Sequence, residues 1–274
     1  MKFIKSKAFI VASSILVTIL VLFCIFRFFD YTDNDNGKSS FENCNVLPIN
    51  IRGDIQTYFS SDLYDDNGYL NVDGTSSEDI QATIMDIENY PNIKAILVVV
   101  DSYGGKAVAG EEISNLWKQS SKPVIALIRS AADSAAYYSI SSSDYIFASE
   151  MSDIGSIGVT QSGLINVKKN EKEGLTFIEL NTGKYKDILN PDKPVTVDEL
   201  RYIKAQLQIV HDKFVTDVSR NRSIPIDKVK NMADGSSVLG KKAIELGLID
   251  EIGDYYDATA YISKIIGESV QICK

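Results

Sequence analysis

Two apolar runs, each followed by small residues, constrain the fold of this chain most. The run at 93–100 is rich in β-branched residues, and Gly104 and Gly105 follow it. The run at 124–128 leads to Ser134. Such runs are typical of strands buried on both faces of a parallel sheet, since a half-exposed strand would alternate apolar and polar residues. The sequence therefore predicts two parallel strands whose ends carry glycine amides and a hydroxyl.

The ends of these two strands carry groups that suit acyl-transfer chemistry. Glycine N–H groups are not shielded by side chains and can stabilise an oxyanion, and a hydroxyl at a strand-to-helix turn can act as a nucleophile. His211 is the only histidine and lies on the flank of the apolar stripe of a predicted helix, which favours a structural role. A Ser-His-Asp arrangement is therefore difficult to build. A purely structural role for Ser134, as a helix N-cap, remains open.

Strand and helix patterns alternate along the rest of the chain. Further strands are predicted at 46–55, 145–148 and 176–180, and helices are predicted to begin near 75–79, to cover 109–117, to begin at the capping box Thr196–Glu199 and to end near Gly247. The long helix after Thr196 has its apolar residues on one face, at Leu200, Ile203, Leu207, Val210, Phe214 and Val218. This alternation predicts crossover units and an α/β fold with a largely parallel sheet.

The N-terminus has the pattern of a membrane anchor. Residues 8–26 form an uncharged apolar run, long enough to span a bilayer as a helix of about 28 Å. Lys2, Lys5 and Lys7 precede this run, so the positive-inside rule places the start of the chain in the cytoplasm. Bulky residues end the run, and no signal-peptidase cleavage is expected. The predicted domains are a cytoplasmic N-terminus at 1–7, a transmembrane signal anchor at 8–26, a linker at 27–45 and an extracytoplasmic domain at 46–274.

Charge and cysteine content narrow the range of partners. The formal net charge is -9, and an acidic chain is poorly suited to binding nucleic acid. Three scattered cysteines and one histidine do not form a zinc site, so neither a metal nor another cofactor is expected. Cys44 and Cys273 lie near the two ends of the part that follows the anchor. In an oxidising compartment they could form a disulfide, and two free thiols are the alternative.

Four short motifs, in their order along the chain, resemble those of the signal peptide peptidase A family. They are DSYGG at 101–105, ADSAAYY at 132–138, GSIGV at 155–159 and GKYKD at 183–187. The run at 234–253 is similar to the C-terminal signature of the family, and the similarity extends over roughly residues 46–260. The resemblance implies a Clp protease/crotonase-like fold, built from repeated β-β-α and βαβ units. It also implies a membrane-anchored peptidase that uses a serine and a lysine.

The resemblance assigns roles to the residues at matching positions. Ser134 would be the nucleophile and Lys186 the general base. Gly104 or Gly105 would form the oxyanion hole together with the N–H of Ala135. Short members of the family build the site between neighbouring subunits of a ring, with the lysine supplied by the adjacent subunit. A homo-oligomeric ring is therefore expected here.

Another lysine and three departures from the family pattern bear on this assignment. Lys184 lies two residues before Lys186 and would share its strand face if the segment were extended, so spacing leaves it open as the base. The family commonly has proline at the position of Tyr103 and glycines at those of Ala135 and Ala136. These differences concern the expected rate and specificity more than the reaction itself.

Taken with the resemblance, these features predict a membrane-anchored serine endopeptidase with a Ser/Lys dyad, degrading signal peptides or other peptides outside the cytoplasm. The expected location is a cell membrane, the bacterial inner or plasma membrane, which the chain crosses once. A catalytically inactive scaffold of the same fold, organising membrane partners, is the alternative. A crotonase-type enzyme acting on acyl-CoA thioesters is a third possibility. The presence of both Ser134 and Lys186 favours the peptidase.

Overall fold

The structure, a computed structural model, describes residue 41 and residues 43–65 and 70–273. Residues Cys44–Ile272 form one unit by their contacts. The predicted cytoplasmic N-terminus, the signal anchor and most of the linker lie outside the described residues. Among the helices that are described, none is both long enough and apolar enough to cross a membrane.

A mainly parallel sheet forms the centre of this unit. Its strands are β1 (Val46–Gln56), β2 (Gly74–Ser76), β3 (Ala95–Gly105), β4 (Val124–Asp133), β5 (Tyr145–Ala148), β6 (Asp153–Gly155), β7 (Ser237–Leu239) and β8 (Glu251–Ile252). They lie in the order β2-β1-β3-β4-β5-β8, with every neighbouring pair parallel. β6 pairs in parallel with the last residues of β4, and β7 pairs antiparallel with β6. The prediction of an α/β fold with a parallel sheet is confirmed.

Helices connect most of these strands. They are α1 (Ser77–Ile87), α2 (Ala107–Gln119), α3 (Ala135–Ile140), α4 (Val167–Lys172), α5 (Val197–Asn221), α6 (Ile226–Met232), α7 (Gly240–Leu246) and α8 (Tyr255–Ile266). α5 begins with the predicted capping box, in which Thr196 and Glu199 each bind the other's backbone N–H. Because α2 returns the chain to the start of the next parallel strand, β3 and β4 end at the same edge of the sheet.

Both faces of the sheet are covered over β3 and β4. α8 contributes Ala258 and Ile262 to one apolar cluster with Leu97 and Ile125. The alternate residues of β3 are buried as well, α3 packs against β3, and α2 packs against α3. Burial on both faces explains why residues 95–100 and 124–128 include no polar residue, since a polar side chain there would have no solvent to face.

The strand predicted at 176–180 is not present, and that prediction is wrong. These residues are irregular, with Ile178 74% and Leu180 92% exposed. A strand needs a neighbour that pairs with its N–H and C=O groups, and no described strand lies beside this segment. The short helix α4, which was not predicted, precedes it.

The apolar face of α5 is buried over only the second half of the helix. Phe214 and Val218 are buried, whereas Leu200 is 47% and Val210 38% exposed. The predicted stripe is therefore present, but only its C-terminal half packs against other described residues of the same chain. An apolar stripe exposed in this way is a candidate contact surface for another chain.

Cys44 and Cys273 are both buried and both disulfide-bonded. The disulfide, rather than a pair of free thiols, is thus the alternative that the structure supports. Disulfides persist in oxidising compartments and are rare in the reducing cytosol.

Candidate active site

Ser134 lies at the turn between β4 and α3. Its φ and ψ angles are 52° and -122°, a combination that costs a non-glycine residue about 1–3 kcal/mol. Its N–H donates to the carbonyl of Gly155 at 2.8 Å, and its carbonyl accepts from the N–H of Tyr138 at 2.9 Å. These two hydrogen bonds hold the strained turn, and the Ser134 side chain remains partly exposed.

The Ser134 hydroxyl does not cap α3. Ser134 occupies the N-cap position, but its side chain makes no hydrogen bond to the first turn of the helix. The N-cap interpretation therefore lacks the contact that defines it. No other described group binds this hydroxyl, so it is available to a base and to a substrate.

Gly104 allows β3 to approach the serine closely. Its φ is 113°, and a Cβ atom built there would lie 2.9 Å from the Cβ of Ser134 and 3.1 Å from the backbone nitrogen of Ala135. A side chain at this position would be both strained and in contact with Ser134. Position 104 therefore requires glycine for two reasons, the positive φ angle and the lack of space for a Cβ atom.

The two candidate glycine N–H groups, those of Gly104 and Gly105, differ in their hydrogen bonding and in their direction. The N–H of Gly104 donates to Ser102 Oγ at 3.1 Å, so it is already occupied. The N–H of Lys106 donates to the carbonyl of Ile55 on β1 at 2.7 Å. Successive amides of an extended strand point to opposite edges. The N–H of Gly105 therefore points away from β1, toward the side on which β4 and Ser134 lie.

Ala135 offers a second donor beside the nucleophile. It is the first residue of α3, so its N–H has no acceptor within the helix. Ala135 is buried, and in α2 a Cβ at Gly110 would lie 2.7 Å from its carbonyl oxygen. Small residues on both helices thus let α2 approach α3. The geometry favours Gly105 with Ala135, rather than Gly104, as the pair of oxyanion donors.

Lys186 is not joined to Ser134 within the chain. It lies in an exposed turn, where its N–H donates to the carbonyl of Gly183 at 2.9 Å. In the described part of the chain its ammonium group makes neither a hydrogen bond nor an ion pair. The structure therefore presents the predicted base on the surface, with no described group of the chain holding it.

Lys184, the other candidate base, is already engaged. Its Nζ donates to Asp198 Oδ2 at 2.9 Å and lies 5.1 Å from the centre of the Tyr185 ring. The hydrogen bond to Asp198 raises the pKa of Lys184, and Tyr185 adds to the effect. Because a base must be a neutral amine, these contacts make Lys184 the poorer candidate and leave Lys186 as the better one.

The segment that carries Lys186 is attached to the start of α5. Glu199 is buried and accepts from the N–H and the hydroxyl of Thr196 and from Lys193 at 2.9 Å. Hydrogen bonds from the backbone of Thr196 and from Lys193 lower the pKa of Glu199 to about 2. The Tyr185 and Tyr202 rings stack at 4.5 Å. The lysine turn is thus held at one end of α5.

The other end of α5 is attached to the helix that follows the nucleophile. Asp217 is buried and accepts hydrogen bonds from Tyr138 on α3 and from Lys213, and from Arg220 at 2.6 Å. Burial opposes ionisation of Asp217, but the hydrogen bonds from Lys213 and Tyr138 outweigh it and lower its pKa. The Tyr138 ring also stacks on Phe214 at 4.6 Å. These contacts fix α3, and with it the turn at Ser134.

Replacing Asp217 with asparagine should lower the free energy of unfolding by about 3 kcal/mol at neutral pH, since it removes the negative charge and one of the two acceptor oxygens of a buried charged network. When folding lowers the pKa of a carboxyl, that carboxyl stabilises the fold at pH values above its unfolded-state pKa of about 3.9. This stabilisation is lost as the pH falls through the lower pKa of the folded state. The difference in the free energy of unfolding between the native protein and Asp217→Asn should therefore shrink toward pH 3. Urea unfolding of both proteins at neutral pH and at pH 3 measures this difference. Asp212→Asn, an exposed change on the same helix, should show almost none.

Sequence reasoning missed one group in this region, the carboxyl of Asp133. This residue directly precedes Ser134, yet it is only 8% exposed, and its Oδ1 is buried without a hydrogen-bond partner. Burial, and then the charge of Asp153, raise the pKa of Asp133 to about 6. An acidic residue directly after the small, buried Ala131 and Ala132 and directly before Ser134 was the available signal.

Two grooves border the ends of β3 and β4. The smaller, about 650 Å³, is lined by Asp101, Gly104 and Gly105 among others. The larger, about 950 Å³, is lined by Tyr103 and Asp153 among others. Tyr103 lines both, so an extended peptide has space on either side of the predicted oxyanion donors.

The fold is an α/β fold of the Clp protease type. The solved structure of ClpP1 from Listeria monocytogenes is similar with a TM-score of 0.50, covering 77% of this chain and 93% of that one at 13% sequence identity. This likeness concerns the fold alone. A sequence model of peptidase family S49 matches residues 117–267, and the chain belongs to this family. The matched range contains Ser134 and Lys186, and the resemblance seen in the motifs is confirmed.

Curated relatives carry protease names. A putative protease of Methanocaldococcus jannaschii is 31% identical over 186 residues, covering 67% of this chain and 60% of that protein. A putative signal peptide peptidase SppA of Enterococcus faecium is 29% identical, covering 81% and 64%. A putative protease of Synechocystis is 34% identical, covering 66% and 65%. The chain thus spans a little under two thirds of the length of these relatives.

Proposed function

We propose that this chain is a serine endopeptidase whose nucleophile is Ser134 and whose base is Lys186. The strained turn at Ser134 carries the proposal, because strain of this kind is kept where a side chain has to be presented for chemistry. Because residue 104 is a glycine, β3 leaves space for a substrate beside the Ser134 hydroxyl. The N–H groups of Gly105 and Ala135 are the proposed donors to the oxyanion. Membership of family S49 and the protease names of the relatives support peptide bonds as the substrate.

In the proposed reaction the neutral amine of Lys186 accepts the Ser134 proton while Oγ attacks the peptide carbonyl. The negative charge that forms on the carbonyl oxygen is received by the N–H groups of Gly105 and Ala135. The lysine ammonium then gives its proton to the departing amine, which leaves an ester on Ser134. A water molecule, deprotonated by the same lysine, hydrolyses this ester and restores the free serine.

The lysine is proposed to come from a neighbouring subunit of a ring. Lys186 is exposed and unpaired in its own subunit, and the segment around it presents exposed apolar side chains at Leu164, Ile178 and Leu180. The exposed half of the α5 stripe lies on the helix to which this segment is attached. A neighbour that covers these surfaces would also remove water from the lysine, which favours its neutral form. The Clp protease type of fold supports a ring assembly.

The site is proposed to act outside the cytoplasm, at a membrane. The apolar run at 8–26 and the lysines before it support an anchor, and the disulfide-bonded Cys44 and Cys273 support an oxidising compartment. The name of the Enterococcus faecium relative supports signal peptides among the substrates. A reporter fused after Lys274 should be active outside the cytoplasm, and activity restricted to the cytoplasm would refute the orientation.

A fluorophosphonate probe tests the central assignment. It should label the assembled protein at Ser134, located by mass spectrometry of the labelled peptide, because only an activated serine reacts readily. Ser134→Ala should not be labelled. Ser139→Ala is the matched control, since this serine lies on the same helix but is buried and donates to the carbonyl of Ala136. An intact oligomer that takes up no label would instead support the inactive scaffold.

A further inference from the structure

The carboxyl of Asp133 has no partner in the described structure, although it directly precedes the proposed nucleophile. It makes neither a hydrogen bond nor an ion pair there, and it is more than nine-tenths buried. A buried carboxylate without a partner is costly, and such groups in native proteins call for an explanation. The site beside Ser134 therefore carries a carboxyl that lacks a counterpart among the described residues.

Asp153 brings a second carboxyl to the same place. Asp133 pairs with Gly155, and Ala131 pairs with Asp153, in the parallel ladder of β4 and β6. Partners in a ladder and residues two apart share a face, so the Asp133 and Asp153 side chains leave the same face of the sheet. Gly155 places no side chain between them, and a Cβ there would meet only Leu248, at 3.7 Å.

This face belongs to the larger groove. Asp153 and Tyr103 line the groove of about 950 Å³, and Tyr103 is next to Gly104 in β3. Ser102 pairs with Ala132, so Tyr103 lies on the same face as Asp133. Asp153 lines this groove, and Asp133 is not one of its lining residues but leaves the same face of the sheet directly before Ser134. The end of the groove at Asp153 is thus the end nearest the proposed nucleophile.

The rest of the groove does not neutralise these carboxyls. Arg52 and Arg129 also line it, but in the described residues neither forms an ion pair with Asp133 or Asp153. A resident metal ion is disfavoured, because the described residues contain no group of three or more metal-ligating side chains. A long cationic side chain that enters along the groove would supply the missing partner and several N–H donors.

We propose that Asp133 and Asp153 form a subsite that receives a lysine or arginine side chain of the peptide, on the acyl side of the scissile bond. This inference rests on the proposed function, because the acyl residue is the one attached to Ser134 and its side chain begins beside Asp133. A buried carboxylate that is paired on binding discriminates strongly against an uncharged analogue, whose binding leaves the charge unpaired. Asp133 and Asp153 then select the substrate and take no part in proton transfer.

The test compares two peptides that differ only at the acyl-side residue, lysine or the uncharged, nearly isosteric norleucine. The native oligomer should cleave the lysine peptide with a kcat/KM at least about tenfold higher, as is typical for a paired charge. Asp133→Asn should remove most of this preference and Asp153→Asn part of it. Asp86→Asn, an exposed change on α1, is the control and should leave the ratio unchanged. Asp133→Asn should melt no lower than the native protein, since it removes an unpartnered charge.

A binding measurement separates this inference from the proposed function. Calorimetry with the Ser134→Ala protein should show tighter binding of the lysine peptide than of the norleucine peptide, and this difference should disappear when Asp133→Asn is added. If the peptides are bound with this preference but never cleaved, the proposed function fails and the subsite stands. If they are cleaved or bound with equal efficiency, or if the preference survives both asparagine variants, the subsite is wrong. If the Asp133→Asn protein fails to fold, the lysine and norleucine peptides are compared on the Asp153→Asn protein instead, since Asp153 is partly exposed.

Discussion

Peptide hydrolysis should fall by at least about 10³-fold when either Ser134 or Lys186 is replaced with alanine, because a nucleophile and its base act as a unit and the loss of either removes the reaction path. Neither change should disturb folding. The Ser134 side chain makes no hydrogen bond in the described structure, and Lys186 is exposed and unpaired. Initial rates on a fluorogenic peptide measure the loss, and circular dichroism with size-exclusion chromatography measures fold and assembly.

Two matched variants complete this experiment. Lys184→Ala should retain most of the activity, because this lysine is paired with Asp198. His211→Gln should keep the pH profile, in which activity rises from neutral to alkaline pH as the neutral amine becomes available. His211 donates from Nε2 to the carbonyl of Ala233 at 3.0 Å, a contact away from the serine turn. Full activity in Ser134→Ala or Lys186→Ala, or inactivity of an assembled His211→Gln, would contradict the dyad.

Activity should return in part when the Ser134→Ala and Lys186→Ala proteins are mixed and allowed to exchange subunits. Each protein lacks one half of the site, and in a ring of head-to-tail contacts about one quarter of the interfaces would join an intact serine to an intact lysine. The physical reason is the position of Lys186, exposed in its own subunit and without contact to Ser134 in the described residues. The rate of the mixture, relative to the native protein at equal concentration, measures the recovery.

The double variant Ser134→Ala/Lys186→Ala is the control for this mixture. Mixed with either single variant, it should restore nothing, because no interface can then combine both groups. Native mass spectrometry shows whether mixed oligomers have formed. Mixed oligomers that stay inactive would place the lysine and the serine of one site in the same chain, and the shared-site model would be wrong.

Local sequence patterns predicted the strands β1, β3, β4 and β5 but not the short strands β2, β6, β7 and β8. The apolar runs of β3 and β4 are strands because their residues can be buried on both faces, and that property is visible in the residues themselves. The capping box of α5 formed at Thr196 because its two hydrogen bonds join residues three apart. The strand predicted at 176–180 failed for the opposite reason, since the partner that a strand needs is not part of the local sequence.

The candidate site was predicted less completely than the fold. Motif order pointed to Ser134 and Lys186, and their roles stay predictions. The sequence could not choose between Gly104 and Gly105, because the choice depends on Ser102 occupying one amide. The family resemblance favoured Lys186 over Lys184, but spacing alone could not choose between them, because the contact that engages Lys184 is with Asp198, which approaches only when the chain is folded.

The sequence by itself determined the central strands β1, β3, β4 and β5, the small residues at the ends of β3 and β4, and the hydroxyl between β4 and α3. These features depend on side-chain size, backbone freedom and short-range capping, which act between near neighbours in the chain. The tertiary structure decided which amide is unoccupied, which lysine is unpaired and which carboxyl is buried without a partner. Those properties depend on residues far apart in sequence, such as Ser102 and Gly53, whose hydrogen bond at 2.6 Å forms only when β1 and β3 pair.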